Sequence, residues 1–238
     1  MPESYAANTA ALWIALGHTH TEVLHDSPEL VVLSQPRLGL VRVVTRRPLR
    51  ELPAAARAFL DAKAGLVDDP FGTLHPPGST GVRTVRRPIM ARPPMPVRRA
   101  PEKADLEFLR VTGPEELREA ENVIVHGFPH LDLWPPVPGR LLPADALAVP
   151  GLRVWLVRRQ RVPAAACCTY DDGATVGVHW LVTLPEQRGR GIARLLLSRA
   201  LADRPDRGAV AAASPEGLAV GADLGFDKVS EARWHTWR

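Results

Sequence analysis

Residues 182–201 constrain this chain more than any other stretch. They read Val-Thr-Leu-Pro-Glu-Gln-Arg-Gly-Arg-Gly-Ile-Ala-Arg-Leu-Leu-Leu-Ser-Arg-Ala-Leu. An apolar, strand-like run stops at Pro185, a turn carries Arg188-Gly189-Arg190-Gly191, and an amphipathic helix begins at once. Such a junction aims several backbone N–H groups and the positive end of a helix dipole at one point, which suits an anion. Two glycines let a phosphate approach the backbone without Cβ atoms in the way. Arg188 and Arg190 add forked donors that match phosphate oxygens. The turn is therefore expected to bind a phosphate-bearing ligand.

Two familiar phosphate loops are excluded. A Walker-type loop ends in Gly-Lys-Ser/Thr, and residues 188–193 contain no lysine. A dinucleotide fingerprint needs a third glycine three positions after the second, where this chain has Arg194. What remains is Arg-x-x-Gly-x-Ala, from Arg188, Gly191 and Ala193. The flanks add order. Leu152–Arg158, Val162–Tyr170 and Thr175–Thr183 read as strands, and an Asp171-Asp172-Gly173 turn between the last two is a hairpin signal. Ala209–Ala213 reads as a short strand, Pro215 opens a helix, and Leu224-Gly225-Phe226 closes it. A last hairpin is expected over Lys228–Trp237.

This order, the Arg-x-x-Gly-x-Ala loop and the Leu-Gly-Phe ending resemble the GNAT superfamily of acyl-CoA-dependent N-acyltransferases over residues 104–238. The resemblance implies an α/β (α+β) fold, with a mixed central sheet flanked by helices. It implies acetyl-CoA, or another acyl-CoA, as co-substrate and an amine as acceptor. The pantetheine arm would pair with main-chain groups of Val182, Thr183 and Leu184. The pyrophosphate would sit on the N–H groups of Arg188, Gly189, Arg190, Gly191, Ile192 and Ala193.

The resemblance is less complete at the chemistry. The family's commonest general-base slot, eleven residues before Arg188, holds Gly177. His179 is two residues along on the same strand face, with a pKa range suited to the task. The usual tyrosine acid is replaced by Gly221, and a frequent cofactor-binding asparagine by Ser214. Water, Ser214 or a residue from elsewhere (Tyr170 and His235 are candidates) would then reprotonate the thiolate. The acceptor pocket falls on the segment that holds Glu119, Glu121, His126, Phe128, His130, Asp132 and Trp134, with Trp180 from the strand. Glu119, Glu121 and Asp132 would attract a cationic amine, and the aromatics would suit an apolar one; an ordinary surface or core role stays open for each. Two histidines four apart in a Gly-Pro turn do not share a helix face, so no metal site is expected. The alternative function is a non-catalytic or otherwise diverged CoA-binding module.

The rest of the chain is bounded by composition. The 238 residues are 45% hydrophobic, enough for a packed core, and the formal net charge is +4. Arginine carries nearly all the basic character, because only Lys63, Lys103 and Lys228 are lysines. No window approaches the ~20 apolar residues of a membrane span, and no basic region precedes Ala10–Leu16, so a cytoplasmic monomer or homodimer is expected. Cys167 and Cys168 are adjacent on one strand and imply no disulfide framework. Residues 1–75 read as helix (Ser4–Gly17), three short strands (Glu22–Leu24, Leu30–Leu33, Leu38–Thr45) and helix (Pro53–Lys63). This is either a degenerate GNAT-like half, with Arg46-Arg47-Pro48-Leu49-Arg50 where the glycine loop would be, or an unrelated α+β cap. Residues 76–103 are rich in proline and arginine and read as an extended, solvated connector, with a basic strip for nucleic acid or the CoA 3′-phosphate as the other reading. They lack the aromatic residues that stack on nucleic-acid bases.

Overall fold

The computed structural model describes residues 2–17, 22–75, 81–97, 103–128 and 135–237. Helix α1 spans Pro2–Ala15 and the strands β1, β2 and β3 span Glu22–Asp26, Leu30–Gln35 and Leu40–Thr45. Helix α2 (Ala54–Ala62) leads to β4 (Gly65–Asp69) and β5 (Arg83–Arg92). The second half runs β6 (Leu106–Arg110), α3 (Pro114–Gly127), β7 (Leu152–Arg159), β8 (Val162–Asp171), β9 (Thr175–Thr183) and α4 (Ile192–Leu201). It closes with β10 (Gly208–Ala212), α5 (Pro215–Ala222) and β11 (Asp227–Trp237). This is a mixed α/β fold.

The chain forms two compact units. The first comprises Met1–Ala91, Val210–Leu218 and Lys228–Arg238; the second comprises Arg92–Ala209 and Ala219–Asp227. In the first, β1, β2 and β3 form an antiparallel meander, and β4 pairs parallel to β3 after the α2 crossover. Strand β11 then pairs antiparallel to β4, from Arg233 opposite Asp69 to Trp237 opposite Gly65. Val41, Val43 and Val67 share one face with Leu30 and Val32, and Leu52, Ala56 and Leu60 cover them. On the opposite face Tyr5 and Trp234 donate to the buried carboxylate of Asp68 at 3.2 and 2.9 Å. Burial pushes that carboxyl up to about 6, against the pull of Arg42.

Two sequence expectations change here. Arg83–Arg92 is a ten-residue strand, with Ile89, Met90, Ala91 and Arg92 buried, and so is not a solvated connector. Its proline, Pro88, lacks an N–H but keeps its carbonyl, which accepts the Ala213 N–H at 2.9 Å. The C-terminal segment is one eleven-residue strand instead of a hairpin. It belongs to the first unit, so the compact units do not follow a division at residue 104.

In the second unit β6, β7, β8 and β9 form an antiparallel sheet. Ala165 and Cys167 face Ile192, Leu196 and Ala200 of α4, with Val157 and Ala164 completing that core. The alternate residues Ala166, Cys168 and Tyr170 lie on the other face by the two-residue period. Helix α3 starts cleanly because Gly113 is its N-cap, Pro114 needs no N–H partner, and Glu115 and Glu116 meet the positive end of the dipole. Its C-terminus comes very close to β9. A Cβ on Gly127 would lie 2.5 Å from Val182 Cγ1.

Candidate functional site

The site grows from an irregularity in β9. Ala166 pairs with Val182 and Cys168 with His179, so Trp180 and Leu181 stand opposite Cys167 alone. This is a bulge, and Trp180 takes the left-handed conformation at φ +51° to make it. Beyond the bulge Leu184 N–H donates to Ala164 O at 2.9 Å. Bonded pairs alternate in an antiparallel ladder, which commits Val182 to Ala166 and turns the N–H and C=O of Thr183 to the opposite edge. Of the three residues expected to face a pantetheine arm, Thr183 alone turns its main chain away from β8, and its carbonyl already accepts a bond from Arg188 Nε. The Leu184 N–H is already used by the sheet.

Pro185–Gln187 forms one tight turn, closed by Arg188 N–H on Pro185 O at 3.3 Å. Arg188 therefore does not offer its N–H to a ligand, and its side chain folds inward. Nε donates to Thr183 O at 3.1 Å and Nη2 reaches Gly127 O at 3.5 Å. The arginine ties β9 to the end of α3 instead of pointing at the loop's anion site.

Gly189 and Gly191 carry the turn at φ +74° and +75°, where an L side chain is strained. A Cβ on Gly189 would meet nothing within 4 Å, and one on Gly191 only Lys103 Nζ at 4.0 Å. Space is thus open where a ligand would touch the backbone. Gly191 is the N-cap of α4, with no side-chain cap and no acidic residue in the first turn. The first helical bond runs from Leu195 N–H to Gly191 O, so Ile192, Ala193 and Arg194 point N–H groups outward without helical acceptors. Ile192 itself is buried in the core, which fixes the helix axis. These features fit a phosphate. Lys103, named in the sequence only as one of three lysines, adds an ammonium here: Nζ donates to Arg190 O at 2.8 Å. Its chain distance from the loop hides it from any local motif.

His179 lies on the β9 face shared with Gly177, opposite Cys168, and its ring centroid is 6.0 Å from that of Trp180. Burial pushes its pKa down to about 4. The imidazole is therefore neutral at pH 7 and far less basic than an exposed histidine. Tyr170 stands opposite Gly177, with its hydroxyl pushed up by burial and by Asp172 and Asp171.

The acceptor residues separate. Glu121 is 3% exposed and accepts N–H bonds from Gly139 at 2.6 Å, Leu141 at 2.6 Å and Leu142 at 3.0 Å. It clamps a following loop to α3 and presents no carboxylate to an amine, so that expectation is corrected. Glu119 is held by Arg158 at 2.8 and 3.1 Å. His126 is exposed at the end of α3, with Nδ1 2.8 Å from Asn122 O. Phe128 is half-buried and caps the helix through its N–H on Ile124 O. His130, Asp132 and Trp134 lie outside the described residues.

Ser214 and His235 belong to the first unit. Ser214 Oγ accepts the Gly217 N–H at 3.2 Å and so caps α5. His235 is buried, 2.8 Å from Thr84 Oγ1, with its pKa lowered chiefly by burial. Gly221 is buried and its carbonyl accepts the N–H groups of Leu224 and Phe226, which shapes the Leu-Gly-Phe ending. Among the described residues no group of three or more His, Cys, Asp or Glu is placed to hold a metal ion. No helix among them is long and apolar enough to cross a membrane.

A bulged strand, a glycine turn and an uncapped helix start bring backbone N–H donors together in a mixed α/β protein, an arrangement that suits an anion. Residues 117–216 match the acetyltransferase (GNAT) family model. No curated protein matches the sequence. Among solved structures, the fold is similar to a GCN5-related N-acetyltransferase from Kribbella flavida (TM-score 0.63, 19% identity, 98% of this chain and 95% of that one). It is similar to a GNAT-family acetyltransferase from Novosphingobium aromaticivorans (TM-score 0.61, 18% identity, 97% of each chain). A tandem GNAT protein from the clavulanic acid biosynthesis pathway covers 87% of this chain and 77% of its own (TM-score 0.52, 15% identity).

Proposed function

We propose that this protein is an acyl-CoA-dependent N-acyltransferase that moves an acetyl or related acyl group onto a primary amine of a small molecule or peptide. The observation that carries the reading is the start of α4, with two left-handed glycines, open space above both, and neither an acidic residue nor a side-chain cap. The family match supports acyl-CoA as the anion. Gly189 through Ala193 would hold the pyrophosphate by N–H donors, and the Thr183 N–H would pair with the pantetheine arm while its carbonyl stays with Arg188. Bound acyl-CoA supplies the activated acyl group, and attack by the amine is direct, within a ternary complex.

Proton handling in this proposal departs from the sequence expectation. A group titrating at about 4 draws little from an ammonium at pH 7, so the amine reaches His179 already neutral, its proton given to water. His179 then accepts a hydrogen bond from the attacking nitrogen. The proton that the nitrogen loses as the amide forms would pass through water to the leaving thiolate, because Gly221 has no side chain to donate one.

A second reading, a CoA-binding module without catalysis, is favoured by glycine at both 177 and 221 and by the commitment of Glu121 and Glu119 to structural contacts. The N-terminal meander, α2 crossover and parallel β4 follow the strand–helix–strand order of a GNAT half, and α2 starts at Pro53 without a glycine turn. We read it as a degenerate GNAT-like half, as in a tandem arrangement. Release of free CoA thiol across an amine library decides between the two functions. Amine-dependent release is the expected result. Binding of acetyl-CoA with no release for any amine would leave the non-catalytic module.

A further inference from the structure

The loop's own arginine does not serve its anion site, because the Arg188 guanidinium is turned onto Thr183 O and Gly127 O. A different cation stands there. Lys103 precedes β6 and reaches back to the turn before α4, with Nζ 2.8 Å from Arg190 O and 4.0 Å from the Cβ position of Gly191. The carboxylate two residues on, Asp105, is occupied by Arg159 at 2.7 Å. The lysine side chain is exposed at the edge of the open space above Gly191. A compact ammonium with three donors can keep one bond to the Arg190 carbonyl and give the others to a phosphate seated on the helix N–H groups.

We infer that Lys103 is a positioning residue that contacts the pyrophosphate of the bound acyl-CoA, supplying the side-chain charge that Arg188 does not. This rests on the acyl-CoA reading above. The lysine holds the open turn in register through Arg190 O and neutralises the diphosphate as it lands, so the uncapped start of α4 does not act alone.

The test compares wild type, Lys103→Gln and Lys103→Arg by calorimetry with CoA, dephospho-CoA and pantetheine. Glutamine removes the charge, and its amide is one bond shorter than the ammonium, so an effect that comes only from losing the Arg190 contact is recognised by an equal loss for pantetheine. The expected result is an affinity loss of about five- to tenfold for both CoA and dephospho-CoA in Lys103→Gln, the scale of one charge-assisted bond partly open to solvent. Lys103→Arg should restore most of it, and pantetheine binding should not change. Unchanged CoA affinity in Lys103→Gln, or an equal loss for pantetheine, would overturn the inference. A loss confined to CoA would overturn it too, moving Lys103 to the 3′-phosphate. If wild type binds no CoA, the acyl-CoA reading itself falls, which is a different result from wild type and variant binding alike.

Discussion

Glu121 accepts three backbone N–H bonds from inside the fold, and its removal strands donors that water reaches poorly. Glu121→Gln keeps an acceptor for Leu141 and Leu142 but turns an NH2 toward Gly139. We predict a loss of about 2 kcal/mol and, at this chain length, a Tm lower by roughly 4–8 °C, read by thermal unfolding; an unchanged Tm would show that the clamp contributes nothing. His179 gives a pH prediction. Its folded pKa of about 4 lies below the ordinary 6.5, so the unfolded chain binds the extra proton first. Its contribution to stability is full above about 6.5 and is lost as pH falls toward 4. His179→Gln should flatten acid destabilisation in that window, and turnover should show no histidine limb between pH 5 and 8. An acidic limb near 6.5 that disappears in the variant would contradict the assignment. The glycines of the turn were legible in the sequence because their conformational demand is local. The role of Glu121 was not, because its partners come from a separate loop 18 to 21 residues downstream.

Close approach of α3 to β9 is what brings the end of that helix onto the strand that carries His179 and Thr183. Gly127 makes it possible, and a methyl group there would sit 2.5 Å from one Val182 methyl and 3.0 Å from the other. We predict that Gly127→Ala pushes the strand or helix aside and costs about 1–3 kcal/mol, measured by chemical denaturation. CoA affinity should fall with it, because Val182 precedes Thr183, the proposed pantetheine contact; full stability and affinity would contradict the packing. Sequence periodicity located β7, β8 and β9 to within a residue or so, since alternation and the Asp-Gly turn are strong signals. It missed the bulge at Trp180, where no glycine or proline marks the left-handed residue. It also missed β5, because arginine and proline dominate its outer positions and only Ile89, Met90 and Ala91 reveal the buried end.

Strand β11 gives the first unit its completeness. It pairs with β4, so the N-terminal region reaches its full sheet only when the C-terminus of the chain is present. A fragment of residues 1–101 would expose β4 as an unpaired edge. It is predicted to show no cooperative unfolding transition, and a sharp transition in that fragment would instead support an independent domain. The family order over the second half was readable because strand, turn and helix signals follow one another locally. The return of the last strand to the first unit is a long-range pairing that no local pattern encodes. Binding of an acyl-CoA pyrophosphate at the start of α4 is read out by calorimetry with acetyl-CoA on wild type and Gly191→Glu. Wild type should bind saturably and a folded Gly191→Glu not at all, because its carboxylate would occupy the phosphate's space. Equal affinity in the two proteins would contradict it.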